Sequence, residues 1–386
     1  MILPPATLGV LGGGQLGRFF VMAAHEMGYR VMVLDPDPHS PAGLIADQHL
    51  IADYHDRPAL ATMDSKCAAV TTEFENVPAD TLAHLAKAVP VRPSSAAVAI
   101  CQNRIVEKNF LRTHKLPHAP YAEIYGDADI ANASSALFPG ILKVARFGYD
   151  GKGQVRVANR DEALTAFHHL HNEPCVLEQM LALDYEVSVV LARDAQGHVK
   201  CFPVAENTHR HGILDVSIVP VRMGPCSGGR SDNNLQELAE AIAQQMDYVG
   251  VMAVEFFVSR SNVYVNEMAP RPHNSGHYTL DACAISQYDQ QVRALCGLPL
   301  GDGKAHSNAV MVNLLGDLWF SRGGTESREP DWNQLFAVPN LRLHLYGKRE
   351  ARPGRKMGHF TVIGSNPEEV QRTAFAARAA IGISEE

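Results

Sequence analysis

The chain has 386 residues, 46% hydrophobic and 20% charged, with a formal net charge of −8. That length holds two or three domains with ordinary cores, and the acidic balance argues against a nucleic-acid or membrane-surface binder, so an anionic ligand must be held by local basic groups. Seven scattered cysteines, with no CxxC pair, exclude a disulfide framework and a zinc cluster and point to reduced thiols in a cytoplasm.

The opening MILPPATLGVLGGG carries no basic segment before its apolar stretch, and no apolar run approaches a membrane span, so neither a leader nor an anchor is expected. Residues 6–11 read as a short strand, followed by Gly12-Gly13-Gly14-Gln15-Leu16-Gly17 and an amphipathic helix to about Gly28. A second strand, Arg30–Leu34, ends at Asp35. This is a βαβ opening with glycines at G-x-G-x-x-G spacing and an acid eighteen residues beyond Gly17. Two readings stay open: an anion bound on the helix-start amides, or a tight turn in a doubly wound sheet.

The strand 68–72 runs straight into Glu73-Phe74-Glu75-Asn76, where open α/β sheets gather ligands, so Glu73 is a candidate contact. Residues 90–95 read as a linker into a helix over 96–114 that carries Arg104. The run 140–144 reads as a buried strand with Lys143 inside it, and a lysine there needs an anionic partner. Gly148-Tyr149-Asp150-Gly151-Lys152-Gly153-Gln154 follows, a glycine-rich loop whose amides could close over phosphates, though it lacks the Walker A pattern. Strands are expected at Cys175–Gln179 and from Glu186 onward, a polar turn at His209-Arg210-His211-Gly212, helices over 234–249 and 280–298, and a small mixed domain from 308 to 386. The histidines at 168, 169 and 171 read as a solvated helix face.

The densest signal lies at 255–277. Glu255 sits in MAVEFFV, and Glu267 lies in NEMAPRPHNSGH. A hairpin centred near Ser261 would pair positions whose numbers sum to 522, which makes these two glutamates cross-strand neighbours. Two carboxylates that close call for a cation between them, and oxygen ligands favour a hard ion such as magnesium, which comes with phosphate. Arg271, His273 and Asn274 follow directly. Far downstream, Lys348 and the turn RPGRKMGH, with Arg355 and Lys356, form a basic cluster that reads two ways, as a phosphate clamp or as a solvated turn.

GGGQLGR (12–18), EFENVP (73–78), GYDGKGQ (148–154), EFF with NEMAPRPHNSGH (255–277) and RPGRKMGH (352–359), in this order, resemble the ATP-grasp superfamily and, within it, the 5-(carboxyamino)imidazole ribonucleotide synthases of purine biosynthesis. The resemblance runs along nearly the whole chain and is weak only at 317–332. It implies an α/β enzyme in three parts: a biotin-carboxylase-like preATP-grasp domain over 1–105, an ATP-grasp domain over 106–300 with an α+β lid at about 115–180, and a small C-terminal domain over 301–386. It further implies a cytoplasmic homodimer that uses ATP, Mg2+, bicarbonate and aminoimidazole ribonucleotide. Bicarbonate would attack the γ-phosphorus to give carboxyphosphate, and the ribonucleotide amine would capture the carboxyl group.

By the same resemblance, Arg104, Lys143 and the loop Gly148, Tyr149, Asp150, Gly151, Lys152, Gly153 and Gln154 would meet the phosphates of ATP. Glu178, Gln179, Met180 and Leu181 would meet the adenine edge, Glu186 the ribose, and His209 would lie nearby. Glu255 and Glu267 would hold magnesium, with Asn266 beside them. The ribonucleotide would lie on Gln15, Leu16, Glu73, Tyr149, Asp150 and Arg271, with its phosphate on Lys348, Arg355 and Lys356. Arg271, His273 and Asn274, with Asp150, would be catalytic. Alternatives are a formate-using ATP-grasp transformylase of glycinamide ribonucleotide, a nicotinamide-dependent dehydrogenase built on Gly12–Gly17 and Asp35, and a nucleotide-binding regulator without turnover.

Overall fold

In the computed structural model the described residues are 1–148, 152–221, 232–320 and 327–383. Strands β1 (Thr7–Leu11), β2 (Arg30–Leu34), β3 (Gln48–Leu50) and β4 (Ala69–Thr72) form a parallel sheet in the order β3-β2-β1-β4. β1 lies at an interior position, and its residues Leu8, Val10 and Leu11 are fully buried, as a strand covered on both faces requires. A second sheet is antiparallel: β5 (Tyr121–Ile124), β6 (Gly140–Val144), β7 (Gln154–Val157) and β8 (Cys175–Gln179), in the order β5-β8-β6-β7. It closes over its own apolar core, which includes Leu142, Phe167 and Leu177.

The third sheet has nine strands: β9 (Tyr185–Arg193), β10 (Val199–Cys201), β11 (Ala205–Arg210), β12 (Ile213–Val219), β13 (Gly250–Ser259), β14 (Asn262–Ala269), β15 (Asn308–Leu315), β16 (Leu341–Leu345) and β17 (Lys356–Gly364). Their order is β14-β13-β9-β11-β12-β15-β17-β16, with β10 on β9. The C-terminal segment therefore adds its strands to the sheet that carries the hairpin, through the pairing of β12 with β15. The helix Gln15–Glu26 is enclosed from three parts of the chain: its Phe19 and Phe20 share one core with Val31, with Tyr288 and Leu295, and with Tyr346.

Two expected helices are broken. The stretch 96–114 forms Ser95–Cys101 and Arg104–Thr113. Asn103 interrupts it because its side chain accepts the amides of Ile105 and Val106 at 2.9 and 3.4 Å, which favours a cap over helix continuation. The stretch 280–298 forms Thr279–Ala282 and Gln287–Cys296, the second started by a capping box between Ser286 and Asp289. No helix among the described residues is long and apolar enough to cross a membrane.

Glu255 pairs with Glu267, but the route to that pairing differs from simple counting. The turn is the two residues Arg260-Ser261, at φ 47° and 65°, as tight hairpins require. Ser259 therefore faces Asn262 and Phe256 faces Val265. A bulge at Asn266 then inserts one residue and brings the two glutamates opposite each other.

Candidate functional site

A helix start leaves backbone N–H groups without partners, and the glycine-rich turn after β1 fills them from within the chain. Gly14 and Gly17 donate to the two carboxylate oxygens of Glu73 at 2.9 and 3.1 Å. Gly13 donates to Asp35 at 2.7 Å, and Asp35 also accepts the Tyr54 hydroxyl at 3.0 Å and the Asp37 amide at 2.8 Å. A Cβ on Gly14 would stand 2.6 Å from the Glu73 carboxylate. With these amides held by Glu73 and Asp35, the geometry does not favour the dehydrogenase alternative: the anion at this helix start is the protein's own. Burial raises the pKa of Glu73 against the pull of the two amides. Gln15 opens the helix beside this carboxylate, and Leu16 is buried in the core.

A second cluster joins the antiparallel sheet to the helix Arg104–Thr113. Lys143 on β6 finds the partner that its burial demands: its Nζ lies 3.2 Å from Glu178 on β8, and Lys108 Nζ lies 3.4 Å from the other oxygen of the same carboxylate. Burial works against the ionised Glu178, but Lys108, Lys143 and Arg104 overcome it and hold the pKa at about 2. Burial, with Lys108 and Arg104 nearby, lowers the pKa of Lys143 despite its partner. Lys108, Lys143 and Arg104 converge here, with Arg104 also reaching Glu267, and cations grouped in this way suit a polyanion. Glu178 was expected to meet the adenine edge largely through its backbone; its carboxylate lies between the two lysines. Gln179 and Met180 leave this sheet on main-chain bonds, their amides donating to Pro120 and Pro139, and Leu181 follows.

The loop between β6 and β7 borders these cations. The Gly148 carbonyl lies 3.5 Å from Arg104 Nη2. Gly153 has φ +70°, and a Cβ there would stand 2.5 Å from Val144, so only glycine fits. Lys152 lies within the same loop and Gln154 begins β7. Tyr149, Asp150 and Gly151 lie outside the described residues.

The carboxylate pair lies on the hairpin beside this cluster. Arg104 Nη2 is 3.3 Å from Glu267, and Asn266 Nδ2 donates to Glu255 at 3.3 Å. Burial raises the pKa of Glu255, with Glu267 and Glu186 adding to it and His209 opposing. Two carboxylates opposite each other on a hairpin offer oxygen donors that fit a hard divalent cation. Glu186 on β9 and His209 on β11 meet at 2.9 Å, and this contact, with Glu255 nearby, raises the pKa of His209 although burial opposes it.

His273 approaches Glu255 with Nε2 at 3.5 Å. Its Nδ1 accepts the Ser275 amide at 3.3 Å, which assigns the proton to Nε2, facing Glu255. Burial, then Arg271 and Lys356, hold its pKa well below the usual histidine range, so the ring is neutral. Behind it runs a buried chain of hydrogen bonds: Ser217 donates to Asn207, Asn207 to Ser188 and Ser188 to Ser275, at 2.7, 2.8 and 2.8 Å, and the Ser275 hydroxyl meets His273 Nδ1 at 2.9 Å. Asn274, next to it, is buried with both side-chain polar atoms unpartnered. Arg271 Nε donates to Glu75, and each holds the other charged: the Arg271 pKa is raised and that of Glu75 lowered, both against burial.

The basic cluster divides. Lys348 acts on Glu73, and Lys356 on Glu75, Glu255 and His209. Both charges are therefore felt by the acidic groups of this cleft, and Lys348 also donates to the Lys356 carbonyl at 2.7 Å. Arg355 instead donates to the Glu350 carbonyl at 2.8 Å. Sequence reasoning missed Glu75, Glu107, Lys108 and the serine–asparagine chain. A signal existed for Glu75, which stands two residues after Glu73 at a strand end.

By distance, Asp281, His344 and His359 could hold a metal. The rings of His344 and His359 stack 4.6 Å apart at 22°, and His277 stacks on His359 at 4.5 Å and 19°. Parallel rings direct their in-plane lone pairs side by side, so no single ion lies on two of them. The cluster is packing between segments.

Family models match the chain in three consecutive stretches: a ribonucleotide synthetase preATP-grasp domain over residues 5–102, an ATP-grasp domain over 109–288 and a phosphoribosylaminoimidazole carboxylase C-terminal domain over 309–373. The N5-carboxyaminoimidazole ribonucleotide synthase of Brucella melitensis is 43% identical over 367 residues, covering 93% of this chain and 97% of that protein. An N5-carboxyaminoimidazole ribonucleotide synthetase solved with ADP superposes with a TM-score of 0.89 at 39% identity, over 98% of this chain and 97% of the other. The Aspergillus clavatus enzyme, solved with ADP and 5-aminoimidazole ribonucleotide, superposes with a TM-score of 0.87 at 30% identity, over 97% and 98% of the two chains. With identity of this level along nearly its full length, and the three-part architecture to match, the chain belongs to the N5-carboxyaminoimidazole ribonucleotide synthase family of ATP-grasp ligases.

Proposed function

We propose that the protein carboxylates 5-aminoimidazole ribonucleotide to N5-carboxyaminoimidazole ribonucleotide in purine biosynthesis, using ATP and bicarbonate, by way of carboxyphosphate, and releasing ADP and phosphate. The observation that carries this reading is the cation cluster of Arg104, Lys108 and Lys143 around Glu178, opening beside the Glu255/Glu267 pair. A polyphosphate needs both: positive charge for its oxygens, and paired carboxylates for the divalent ion it carries.

In this reading Arg104 and Lys143 hold the phosphates, with Gly148–Gln154 as a lid that keeps water from a hydrolysis-prone mixed anhydride. Gln179, Met180 and Leu181 offer main chain to the base, and Glu186, held by His209, takes the ribose. Glu255 and Glu267 would hold Mg2+, which when bound offsets repulsion between phosphate oxygens. Arg271, fixed by Glu75, orients bicarbonate, while neutral His273 donates its Nε2 proton toward Glu255 and Asn274 lends its unpartnered amide. The ribonucleotide lies along Gln15, Leu16 and Glu73, with its phosphate on Lys348 and Lys356 and with Arg355 at the rim. Catalysis on this plan is positioning and charge neutralisation. The domain limits are 1–105, 106–300 and 301–386, and the molecule works as a cytoplasmic homodimer.

The test is ADP release measured with bicarbonate, with and without aminoimidazole ribonucleotide. Stimulation by the ribonucleotide, together with a carboxylated product, is expected. Release that depends on formate and glycinamide ribonucleotide instead would replace this reading with the transformylase. Light scattering after size exclusion checks the dimer.

A further inference from the structure

Three side chains from the start of the helix Arg104–Thr113 hold three successive residues of β14. Arg104 Nη2 lies 3.3 Å from Glu267 Oε2, Lys108 Nζ donates to the Asn266 carbonyl at 3.1 Å, and the Met268 amide donates to Glu107 Oε1 at 2.7 Å. β14 is the last strand of the nine-stranded sheet, and beyond the parallel bridge of Val265 with His118, where the Val265 amide donates to the Pro117 carbonyl at 2.8 Å, no named strand lies along its outward edge among the described residues. Asn266 is the extra residue of the bulge that sets Glu267 opposite Glu255. A bulge leaves ladder groups unpaired and re-aims the side chains beside it. Here the unpaired groups are met from the helix, one on each side of Glu267. Glu107 is 1% and Lys108 0% exposed; burial pushes the Glu107 pKa up to about 7, and ionisable groups are buried so fully only where they are hydrogen-bonded or paired. Lys108 is fixed from its other side by Glu178.

We propose that Glu107 and Lys108 are positioning residues for the Glu255/Glu267 cation site: they grip the backbone on both sides of Glu267, hold the bulge at Asn266 in register, and so keep the two carboxylates on one face. A one-residue slip at this point would send Glu267 to the opposite face of the sheet. This rests on the cation reading above. No hydrogen bond or ion pair among the described residues joins either of them to the two carboxylates; Glu107 acts on Glu267 by charge at a distance, and the direct hold of both residues is on the strand backbone.

The experiment measures Mn2+ binding to the enzyme at saturating ADP, by electron paramagnetic resonance of the free ion, in the wild type and in Glu107→Gln, Glu107→Ala, Lys108→Met and Glu267→Gln. The Met268 amide needs only an acceptor. Glu107→Gln should therefore bind within about twofold of wild type, while Glu107→Ala and Lys108→Met should bind about 10- to 100-fold more weakly. Lys108→Met keeps the buried stem and decides the matter where Glu107→Ala fails to fold. A role in folding alone would lower the folded fraction, read by circular dichroism, and leave the affinity of folded molecules unchanged. Wild-type affinity in Lys108→Met overturns the proposal, as does an equal loss in Glu107→Gln and Glu107→Ala. Wild-type affinity in Glu267→Gln would sink the cation assignment, and this proposal with it.

Discussion

Glu267 is the residue on which most of the proposed chemistry turns, and a neutral amide in its place tests it directly. Glu267→Gln keeps the shape and removes a negative ligand, so turnover should fall on the order of 100-fold or more; near-normal ATP consumption would remove Glu267 from the site. The basic residues make a finer test. The charge of Lys348 is felt by Glu73, whereas Arg355 is bonded to the Glu350 carbonyl. Lys348→Ala should raise the KM for the ribonucleotide about tenfold or more, the scale of a lost charged hydrogen bond. Arg355→Ala should shift it less, and a change confined to the KM for ATP would show that the clamp serves the other substrate. The pairing of Glu255 with Glu267 was readable by counting, although the count placed the turn centre half a residue late and the bulge at Asn266 made up the difference. Glu107 and Lys108 were not readable, because their partners lie 161 and 158 residues further along the chain.

Elements were legible where periodicity or glycine marked them, as in the β1–helix–β2 opening and in β6 with its single lysine. They were misjudged where one polar side chain competes with the helix. The break at Asn103 leaves Arg104 at the first position of a new helix, facing Glu267 and the Gly148 carbonyl. Asn103→Ala removes the cap and should cost about 1 kcal/mol of stability in denaturant titration. It should also raise the KM for ATP, since Arg104 takes its direction from this helix start. An unchanged KM with the expected loss of stability would separate the cap from the site.

At the scale of the molecule, a column of rings ties the three parts together: Phe19 from the first segment, His277 and Tyr288 from the second, and His344, Tyr346 and His359 from the third. Burial, with the neighbouring cations and histidines, holds His277 and His359 well below the ordinary 6.5. The unfolded chain therefore takes up protons below about pH 6.5 that the folded chain refuses, and stability falls as pH drops through that value. Thermal unfolding from pH 7 to pH 5 should show this loss, and the double variant His277→Phe, His359→Phe should flatten it; an unchanged slope would mean that other groups govern the acid limb. By itself the sequence determined the local pieces: which runs are strands, where glycine must stand, and which motifs place the chain among ATP-using ligases. Tertiary structure alone decided which charges meet, that Glu73 and not a ligand fills the glycine turn, that Lys143 and Lys108 share Glu178, and that a bulge held from a distant helix aligns the carboxylates. The physical reason is that local propensity acts over a few residues, whereas a buried charge must find its counter-charge wherever the fold brings one.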